Sequence, residues 1–361
     1  MEERKEIKKI RTYIPGKPIE EVQKELGLKD VIKLASNENT IGPANIVKNI
    51  IREKLNNINR YPDGSCYELI KILSKNLKVR KENVLAGNGS DEILVMIALA
   101  FINKGDEIII SERTFSEYEF ASQIMGAKII KIPLKNYKYD LKSMSKKINN
   151  KTKVIFLANP NNPTGTIFSE NELLKLLKVA DKKVLIVLDE AYYDYITSKE
   201  YPDSLNLLKK YSNIAVLRTF SKAYSLAGLM IGYIVASSNV IKTLYKVRQP
   251  FNVNILAQAA AIKAIEDKNH IKLSKNINEE GKKYLYDEFK KLSINYVDTE
   301  ANFIFINLKV NADIIFKKLL KEGIIVRPMA FFGFPKAIRV TIGTKEENKK
   351  LINAIKKLKI K

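Results

Sequence analysis

Short β-branched runs alternate with amphipathic stretches of helical period from residue 53 to residue 265, and this alternation constrains the fold more than any other feature. It predicts a mostly parallel sheet covered by helices. The predicted strands cover 107–110, 128–132, 153–157, 184–188, 214–217 and 231–236. The predicted helices cover 91–102, 115–125 and 170–180. Ser169 is suited to cap the last of these helices.

The pattern changes after residue 265, where a long charged helix up to residue 292 precedes strands near 302–308 and 337–342. With a helix between the two strands, these elements predict a smaller α+β domain. The first 52 residues show little periodicity and several turn formers, which indicates an arm that also contributes to the small domain. We therefore expect an arm at 1–52, a large α/β domain at 53–265 and a small domain at 266–361.

Composition places the chain among globular proteins, because 45% of its 361 residues are hydrophobic and can bury a large core. No apolar run approaches the roughly 20 residues that cross a bilayer, so no membrane association is expected. The charged segment 1–10 does not resemble a secretory signal, and the single cysteine, Cys66, cannot form an internal disulfide. Both observations favour the cytoplasm.

The formal net charge of +23, from 63 Lys and Arg against 40 Asp and Glu, raises the question of nucleic-acid binding. The lysines are spread along the chain, and no arginine-rich arm, zinc-ligand cluster or single recognition helix collects them. Scattered charge gives non-specific attraction without base readout, so we expect no nucleic-acid partner and assign no metal site. The same charge can attract an anionic substrate or cofactor.

Lys222 ends the segment Thr219-Phe220-Ser221-Lys222, which follows a predicted strand and precedes the small residues of 223–228. Small residues let the backbone approach a ligand closely. A lysine becomes a nucleophile when burial or a neighbouring charge lowers its pKa from about 10.4. Lys222 is therefore a candidate nucleophile, although a lysine at a loop end is more often structural.

Asp189 directly follows the apolar strand at 184–188, in the sequence Asp189-Glu190-Ala191-Tyr192. Ligands of parallel sheets bind beyond the carboxyl ends of the strands, so its carboxylate is expected in that crevice. There it could pair with a protonated ring nitrogen, cap a helix or bind a metal. A strand followed by Asp-Glu also fits a nucleotide hydrolase, but the sequence lacks a GxxxxGK[ST] loop.

Two loops and an aromatic residue complete the candidate set. The loop Asn159-Pro160-Asn161-Asn162-Pro163-Thr164-Gly165 is fixed by two prolines, so an amide held there can donate to a phenolic oxygen, as can Tyr192. The glycines of Gly87-Asn88-Gly89-Ser90-Asp91 open a helix whose free N–H groups can bind a phosphate. Phe115 offers a face for stacking on an aromatic ring, with ordinary core packing as the alternative.

The segments SDE, NNPTG, DEAY and TFSKAY occur in this order, and through them the chain resembles the fold-type I aminotransferases, which use pyridoxal 5'-phosphate. Within that group it looks most like the histidinol-phosphate aminotransferases. The shared segments are YIPGKPIEEV at 13–22, LASNEN at 34–39, RYPD at 60–63, GIIVR at 323–327 and IRVTIGT at 338–344. The resemblance therefore spans nearly the whole chain.

The resemblance implies a role for each candidate residue. Lys222 would hold the cofactor as a Schiff base, and Asp189 would pair with its ring nitrogen. Asn162 and Tyr192 would hold its ring hydroxyl, and Phe115 would stack on the ring. The residues implied at the cofactor phosphate are Ser90, Asp91, Thr219 and Ser221.

The resemblance also implies a substrate and a partner. Tyr61 would reach the cofactor phosphate from a second subunit, which implies a homodimer with shared active sites. Arg339 would bind the substrate group at the α-carbon and Arg327 the substrate phosphate, because a planar guanidinium suits either anion. Tyr13 is assigned to the same substrate site. The implied reaction moves the amino group of histidinol phosphate to 2-oxoglutarate in histidine biosynthesis, with Lys222 also moving the α-proton.

Met230 departs from the family, which has an arginine for the cofactor phosphate at this position. Either another cation compensates, Arg218 being one possibility, or the cofactor is held less tightly. Thr40, in place of the usual proline, affects only the shape of its loop.

Other functions use the same cofactor residues. Two alternatives are a transaminase of aromatic amino acids and a decarboxylase of a phosphorylated amino acid. Both would differ from a histidinol-phosphate aminotransferase in the residues that contact the substrate. A non-catalytic domain that senses pyridoxal phosphate belongs to a different class and is normally fused to a DNA-binding module. We expect no helix-turn-helix extension before Met1, which favours an enzyme over such a domain.

Overall fold

The computed structural model describes residues 1–10 and 16–360, so the predicted substrate residue Tyr13 lies outside the described residues. The strands are β1 (Ile32–Lys33), β2 (Val84–Gly87), β3 (Glu107–Ser111), β4 (Lys128–Ile132), β5 (Thr152–Ala158), β6 (Leu185–Asp189), β7 (Ile214–Thr219), β8 (Gly232–Ala236), β9 (Asn295–Val297), β10 (Phe303–Asn307), β11 (Ile324–Ile325), β12 (Arg327–Pro328) and β13 (Ala337–Thr341). The helices are α1 (Ile19–Leu26), α2 (Asn45–Lys54), α3 (Tyr67–Leu77), α4 (Gly89–Phe101), α5 (Ser116–Ile124), α6 (Leu141–Ser145), α7 (Glu170–Val179), α8 (Ser204–Leu208), α9 (Ser238–Val247), α10 (Ile255–Glu266), α11 (Lys268–Lys291), α12 (Ala312–Lys321) and α13 (Lys345–Lys357).

A seven-stranded sheet forms the centre of the larger part of the molecule, with the strand order β2-β8-β7-β6-β5-β3-β4. Every neighbouring pair is parallel except the two that involve β8. All residues of β3, β6 and β7 are buried, which fits the apolar runs at 108–110, 185–188 and 214–217 within them. The predicted α/β class with a mostly parallel sheet is confirmed.

Strand β2 is the part of this sheet that no prediction covers. Its sequence, Val84-Leu85-Ala86-Gly87, contains a single β-branched residue and ends in glycine, so its strand signal is weak. The strand matters for the site because it leads directly into α4.

Helix α11 confirms the predicted long charged helix. The carboxylate of Asp267 caps this helix by accepting a hydrogen bond from the backbone N–H of His270 at 3.0 Å.

The smaller part is built on an antiparallel sheet with the order β12-β13-β10-β9. Its apolar core draws on residues 285–360 and on Leu34, whereas the larger core draws on Val47 through Ala264. Strand β1 pairs in parallel with β11, so the N-terminal arm is joined to the smaller part. The predicted domain limits stay a prediction, and the two separate cores support them. No helix within residues 1–10 and 16–360 is long and apolar enough to cross a bilayer.

Candidate active site

A cavity of about 550 Å³ lies where the carboxyl ends of β2, β5, β6 and β7 meet, and we call it the strand-end cavity. The predicted site residues that line it are Ser90, Asp91, Phe115, Asn162, Asp189, Tyr192, Thr219, Ser221, Lys222, Arg327 and Arg339. Side chains that are far apart in the sequence therefore surround one volume, at the edge where a doubly wound sheet binds ligands.

Lys222 lies in the loop after β7, and its side chain points into this cavity. Its Nζ donates a hydrogen bond to the backbone oxygen of Ser36 at 3.3 Å. Burial, assisted by the positive charge of Arg339, lowers the pKa of Lys222 to about 8, while nearby carboxylates oppose the shift. At pH 7 roughly one such amine in ten is neutral, so Lys222 can act as a nucleophile.

Asp189 is the last residue of β6, and its carboxylate is held in place by two neutral donors. It accepts hydrogen bonds from the Tyr118 hydroxyl at 2.6 Å and from the Ala191 backbone N–H at 3.1 Å. The Tyr118 ring is itself fixed by stacking on Phe156, with 5.1 Å between the ring centroids. Burial raises the pKa of Asp189 to about 6. A cation placed beside this carboxylate would favour its ionised form, so the position suits a protonated ring nitrogen.

Tyr192 and Asn162 are each connected to the N-terminal arm. The Tyr192 hydroxyl accepts a hydrogen bond from the side-chain amide of Asn37 at 2.9 Å. The side-chain oxygen of Asn162 accepts a hydrogen bond from Nη1 of Arg339. Nη2 of Arg339 donates to the backbone oxygen of Ala35 at 2.7 Å. The arm therefore contacts Tyr192 directly and Asn162 only through Arg339.

The loop between β2 and α4 forms the opposite end of the cavity. Gly89 opens α4 with a left-handed φ of +78°, which glycine adopts without strain. A Cβ atom at Gly232 would lie 2.9 Å from the backbone nitrogen of Ser90, so glycine is also needed in β8. The start of α4 and the residues Thr219 and Ser221 all line this end. Free N–H groups of a first helical turn together with hydroxyl groups make an anion site, which we call the phosphate end.

Arg327 and Arg339 lie directly opposite each other on the neighbouring antiparallel strands β12 and β13. Both line the cavity, and Arg339 is only 6% exposed. The guanidinium carbon of Arg339 lies 5.2 Å from the centroid of the Phe303 ring, which restricts its orientation. Two neighbouring guanidinium groups make this wall positive, and we call it the arginine end.

Met230 lines the phosphate end and has a left-handed φ of 50°. Its methyl carbon lies 3.0 Å from the position that a Cβ atom of Gly89 would occupy. The side chain is adjacent to the start of α4 but offers neither a charge nor a hydrogen-bond donor. Of the described lysines and arginines, only Lys222, Arg327 and Arg339 line the cavity.

The hypothesis that Arg218 replaces the missing arginine is wrong. Arg218 does not line the strand-end cavity, and its Nη2 lies 2.8 Å from a carboxylate oxygen of Glu190. Its guanidinium carbon lies 3.6 Å from the centroid of the Tyr193 ring. Successive side chains of a strand point to opposite faces, so Arg218 points away where Thr219 points in.

Tyr61 does not line the cavity of its own chain. It is 81% exposed and stacks on Phe251, with 4.6 Å between the ring centroids. Among the described residues it is the one predicted site residue that lies away from the others.

Sequence reasoning assigned no role to Tyr118 or Asn37, although both fix side chains of the site. Tyr118 lies in the first turn of α5, three residues after the N-cap residue Phe115, and the two ring centroids are 5.7 Å apart, so the closeness of Tyr118 to a candidate residue in the sequence is an available signal. Asn37 belongs to the segment LASNEN, which supports the family resemblance but carries no chemical signal of its own. Its contact with Tyr192 joins residues 155 positions apart, which no local pattern indicates.

Residues 29–355 match the sequence profile of the family described as Aminotransferase class I and II. The chain belongs to this family of enzymes, which depend on pyridoxal phosphate. The histidinol-phosphate aminotransferase of Moorella thermoacetica is 49% identical to it, over 98% of this chain and 92% of the relative. The histidinol-phosphate aminotransferase of Caldicellulosiruptor saccharolyticus is 46% identical, over 98% of this chain and 99% of the relative.

Solved structures share the fold. The histidinol-phosphate aminotransferase from Sinorhizobium meliloti in complex with pyridoxal-5'-phosphate superposes with a TM-score of 0.88 at 23% identity, covering 98% of this chain and 97% of that chain. An aspartate aminotransferase from Thermotoga maritima gives a TM-score of 0.84 at 22% identity, covering 98% and 99%. The predicted fold-type I architecture is therefore confirmed.

Proposed function

We propose that this aminotransferase moves the amino group of histidinol phosphate to 2-oxoglutarate, which yields imidazole acetol phosphate and glutamate. The observation that carries the proposal is the arginine end, because its paired guanidinium groups lie in the same cavity as Lys222 and Asp189. The relatives that are 46% and 49% identical and named histidinol-phosphate aminotransferase support the choice of substrate.

The residues of the cavity fit pyridoxal phosphate. Bound there, this cofactor supplies a ring that accepts electrons from the α-carbon of the substrate. The buried Asp189 carboxylate, with its raised pKa and neutral donors, is suited to keep a ring nitrogen protonated. Phe115 offers a stacking face, and Asn162 and Tyr192 are the proposed contacts of the ring hydroxyl. The proposed phosphate contacts are Ser90, Asp91, Thr219 and Ser221.

Lys222 has two proposed tasks. It holds the cofactor covalently through its amine, and it moves the proton at the α-carbon of the substrate. Its pKa of about 8 suits both, because a general base works best when its pKa lies near the working pH.

The arginine end is the proposed substrate site. Arg339 is held by Asn162 and Ala35, so its guanidinium can orient the polar group at the substrate α-carbon. Arg327 lies across the strand pair and is assigned to the substrate phosphate. Tyr13 is assigned to the same end and lies outside the described residues.

We also propose a cytoplasmic homodimer with shared active sites. The exposure of Tyr61 and its separation from its own cavity support a contact with the cavity of a second subunit. A single cysteine fits a reducing compartment.

The sharing of active sites is tested by mixing Tyr61→Ala subunits with Lys222→Ala subunits after separate purification. Hybrid dimers should regain activity, since one of their two sites is intact, and a mixture that stays inactive would contradict site sharing.

The test of the reaction is to load the purified protein with pyridoxal phosphate, record the visible absorption and add amino donors one at a time. Histidinol phosphate should convert the cofactor to its amino form, and 2-oxoglutarate should reverse the change. Phenylalanine should react at least about 100-fold more slowly, because it has a carboxylate but no phosphate and so leaves Arg327 without its proposed contact.

The same experiment separates the alternatives. Faster reaction with phenylalanine would indicate an aromatic transaminase. Release of carbon dioxide from a phosphorylated amino acid would indicate the decarboxylase. A chromophore that no donor changes would indicate a sensing domain and sink the proposed reaction.

A further inference from the structure

A second cavity, of about 710 Å³, lies at the other edge of the large sheet. It is formed by residues before β2, before β7 and after β8, which are the opposite strand ends from those around the strand-end cavity. Strand β7 has six residues and separates the two edges. At about 3.3 Å per residue the two cavities are roughly 20 Å apart. We call this second volume the basic cavity.

The cationic side chains that line the basic cavity are Lys78, Arg80, Lys182, Lys209 and Lys210, and none of the acidic residues within 1–10 and 16–360 lines it. Arg80 is paired with Glu82 at 3.1 Å. The four lysines make no ion pair with any residue in the described part of the chain. Most other lysines of this chain are dispersed, so four unpaired ammonium groups around one concave volume create a local positive potential.

Helix α9 adds a further positive element to the same cavity. Its N-cap residue, Ser237, makes no side-chain capping hydrogen bond, and its first turn contains no acidic residue. Ser237 and Ser238 both line the cavity, so the first N–H groups of a ten-residue helix lie at its wall. Uncapped N–H groups and the helix dipole favour an anion at this position.

Apolar side chains form a further part of the wall, beside the polar Asn83, Ser212 and Asn213. Leu205, Leu208 and Tyr211 line the basic cavity and are each partly buried. A partly buried tyrosine ring offers a flat face to a planar group. The wall therefore suits a ligand that combines an anionic group with a flat apolar part, which inorganic phosphate lacks.

We infer that the basic cavity is a second ligand site, distinct from the strand-end cavity, for a small phosphate ester that carries a planar group. The phosphate lies against the lysines and the start of α9, and the planar group lies against Tyr211. A polynucleotide fits less well, because the lysines surround a concave volume instead of forming an extended stripe.

The probe is adenosine monophosphate, titrated calorimetrically into the holoenzyme at about 150 mM salt, where non-specific surface attraction is screened. Adenosine and inorganic phosphate serve as the two partial ligands. The expected result is saturable binding of one adenosine monophosphate per chain, about tenfold tighter than either partial ligand.

Charge reversal then locates the site. The double variant Lys209→Glu/Lys210→Glu should weaken binding by at least about tenfold, because it reverses two of the lining charges. The matched control is Lys317→Glu/Lys318→Glu, an adjacent exposed pair at the end of α12, which should change the affinity by less than about twofold. The neutral variant Lys209→Gln/Lys210→Gln should fall between them and keeps the test valid if charge reversal disturbs the fold.

Arg327→Ala separates this inference from the proposed function, since it removes a cation from the strand-end cavity alone. Binding that survives Arg327→Ala and is lost in the Lys209/Lys210 variant supports the inference. It would be overturned by no binding, by loss with Arg327→Ala only, or by equal loss in both lysine double variants. Displacement of the probe by a single-stranded oligonucleotide at equal or lower concentration would favour nucleic-acid binding instead.

Discussion

The two ends of the strand-end cavity bind anions by different means. The arginine end presents two guanidinium groups from neighbouring strands, and Arg339 is anchored by hydrogen bonds to Asn162 and Ala35. The phosphate end presents the start of α4, hydroxyl groups and the uncharged Met230. An anion accepts charge-assisted hydrogen bonds at either end, but the guanidinium groups add their own positive charge and a bidentate geometry, so the arginine end should hold its anion more tightly. Under the proposed assignments, the cofactor would depend on its bond to Lys222 and on its contact with Asp189 more than on charge at the phosphate.

Removing the covalent bond tests this comparison most severely. Lys222→Ala should lower kcat by about 10⁴-fold or more, because the nucleophile and the base for the α-proton are lost together. It should also let pyridoxal phosphate leave on dialysis, and borohydride reduction followed by mass measurement should find no adduct. Lys175→Ala, at an exposed position on α7, is the matched control and should keep both properties. An adduct that persists in Lys222→Ala would show that another lysine carries the cofactor.

Arg327 tests the arginine end. Arg327→Ala should raise the KM for histidinol phosphate by about 30-fold, since hydrogen bonds to a charged group contribute about 2 kcal/mol. The KM for histidinol, which lacks the phosphate, should change by less than about threefold in the same variant. Arg339→Ala is the comparison variant and should impair both donors. Equal effects of Arg327→Ala on the two donors would show that Arg327 does not contact the phosphate.

Tyr118 tests the support of Asp189. Tyr118→Phe removes the hydroxyl that donates to the Asp189 carboxylate and keeps the ring that stacks on Phe156. That hydrogen bond lowers the pKa of Asp189, so its loss should raise the pKa further above its ordinary value. Because the ionised carboxylate is the active form, activity should decline at a higher pH in the variant as the solution is acidified. At neutral pH kcat should fall about fivefold, matching the net contribution of one hydrogen bond.

The pH profile of kcat/KM is the measurement, with Phe156→Leu as a control that disturbs the packing and leaves the hydroxyl in place. An unchanged acid limb in Tyr118→Phe would show that the hydroxyl does not set the ionisation of Asp189.

The sequence predicted those parts of the site that local chemistry determines. Asp189 follows a buried apolar strand, and a strand end in a parallel sheet is where ligands bind, so its location could be argued before the structure. The contact of Asn37 with Tyr192 could not, because the left-handed turn at Asn37 and the packing of the arm decide it. The error at Arg218 had a local cause, since the alternation of side chains along β7 already excludes Arg218 if Thr219 faces the cavity.

Substitution of Met230 should have the smallest effect of these variants, and it tests most directly whether the phosphate end is weaker than the arginine end because it lacks a charge. Met230→Arg would place a guanidinium beside the start of α4, and one added contact from a partly exposed charge should slow the loss of cofactor on dialysis by about threefold. The side chain is 41% exposed, so the longer arginine has room, and the left-handed backbone at this position strains both residues equally. Met230→Gln is the matched control because it adds a donor without a charge. A gain with arginine alone would show that the phosphate end lacks charge, and equal gains would show that it lacks only a donor. No gain with either would show that α4 and the hydroxyl groups already saturate the phosphate, and the two ends would then differ in composition but not in strength.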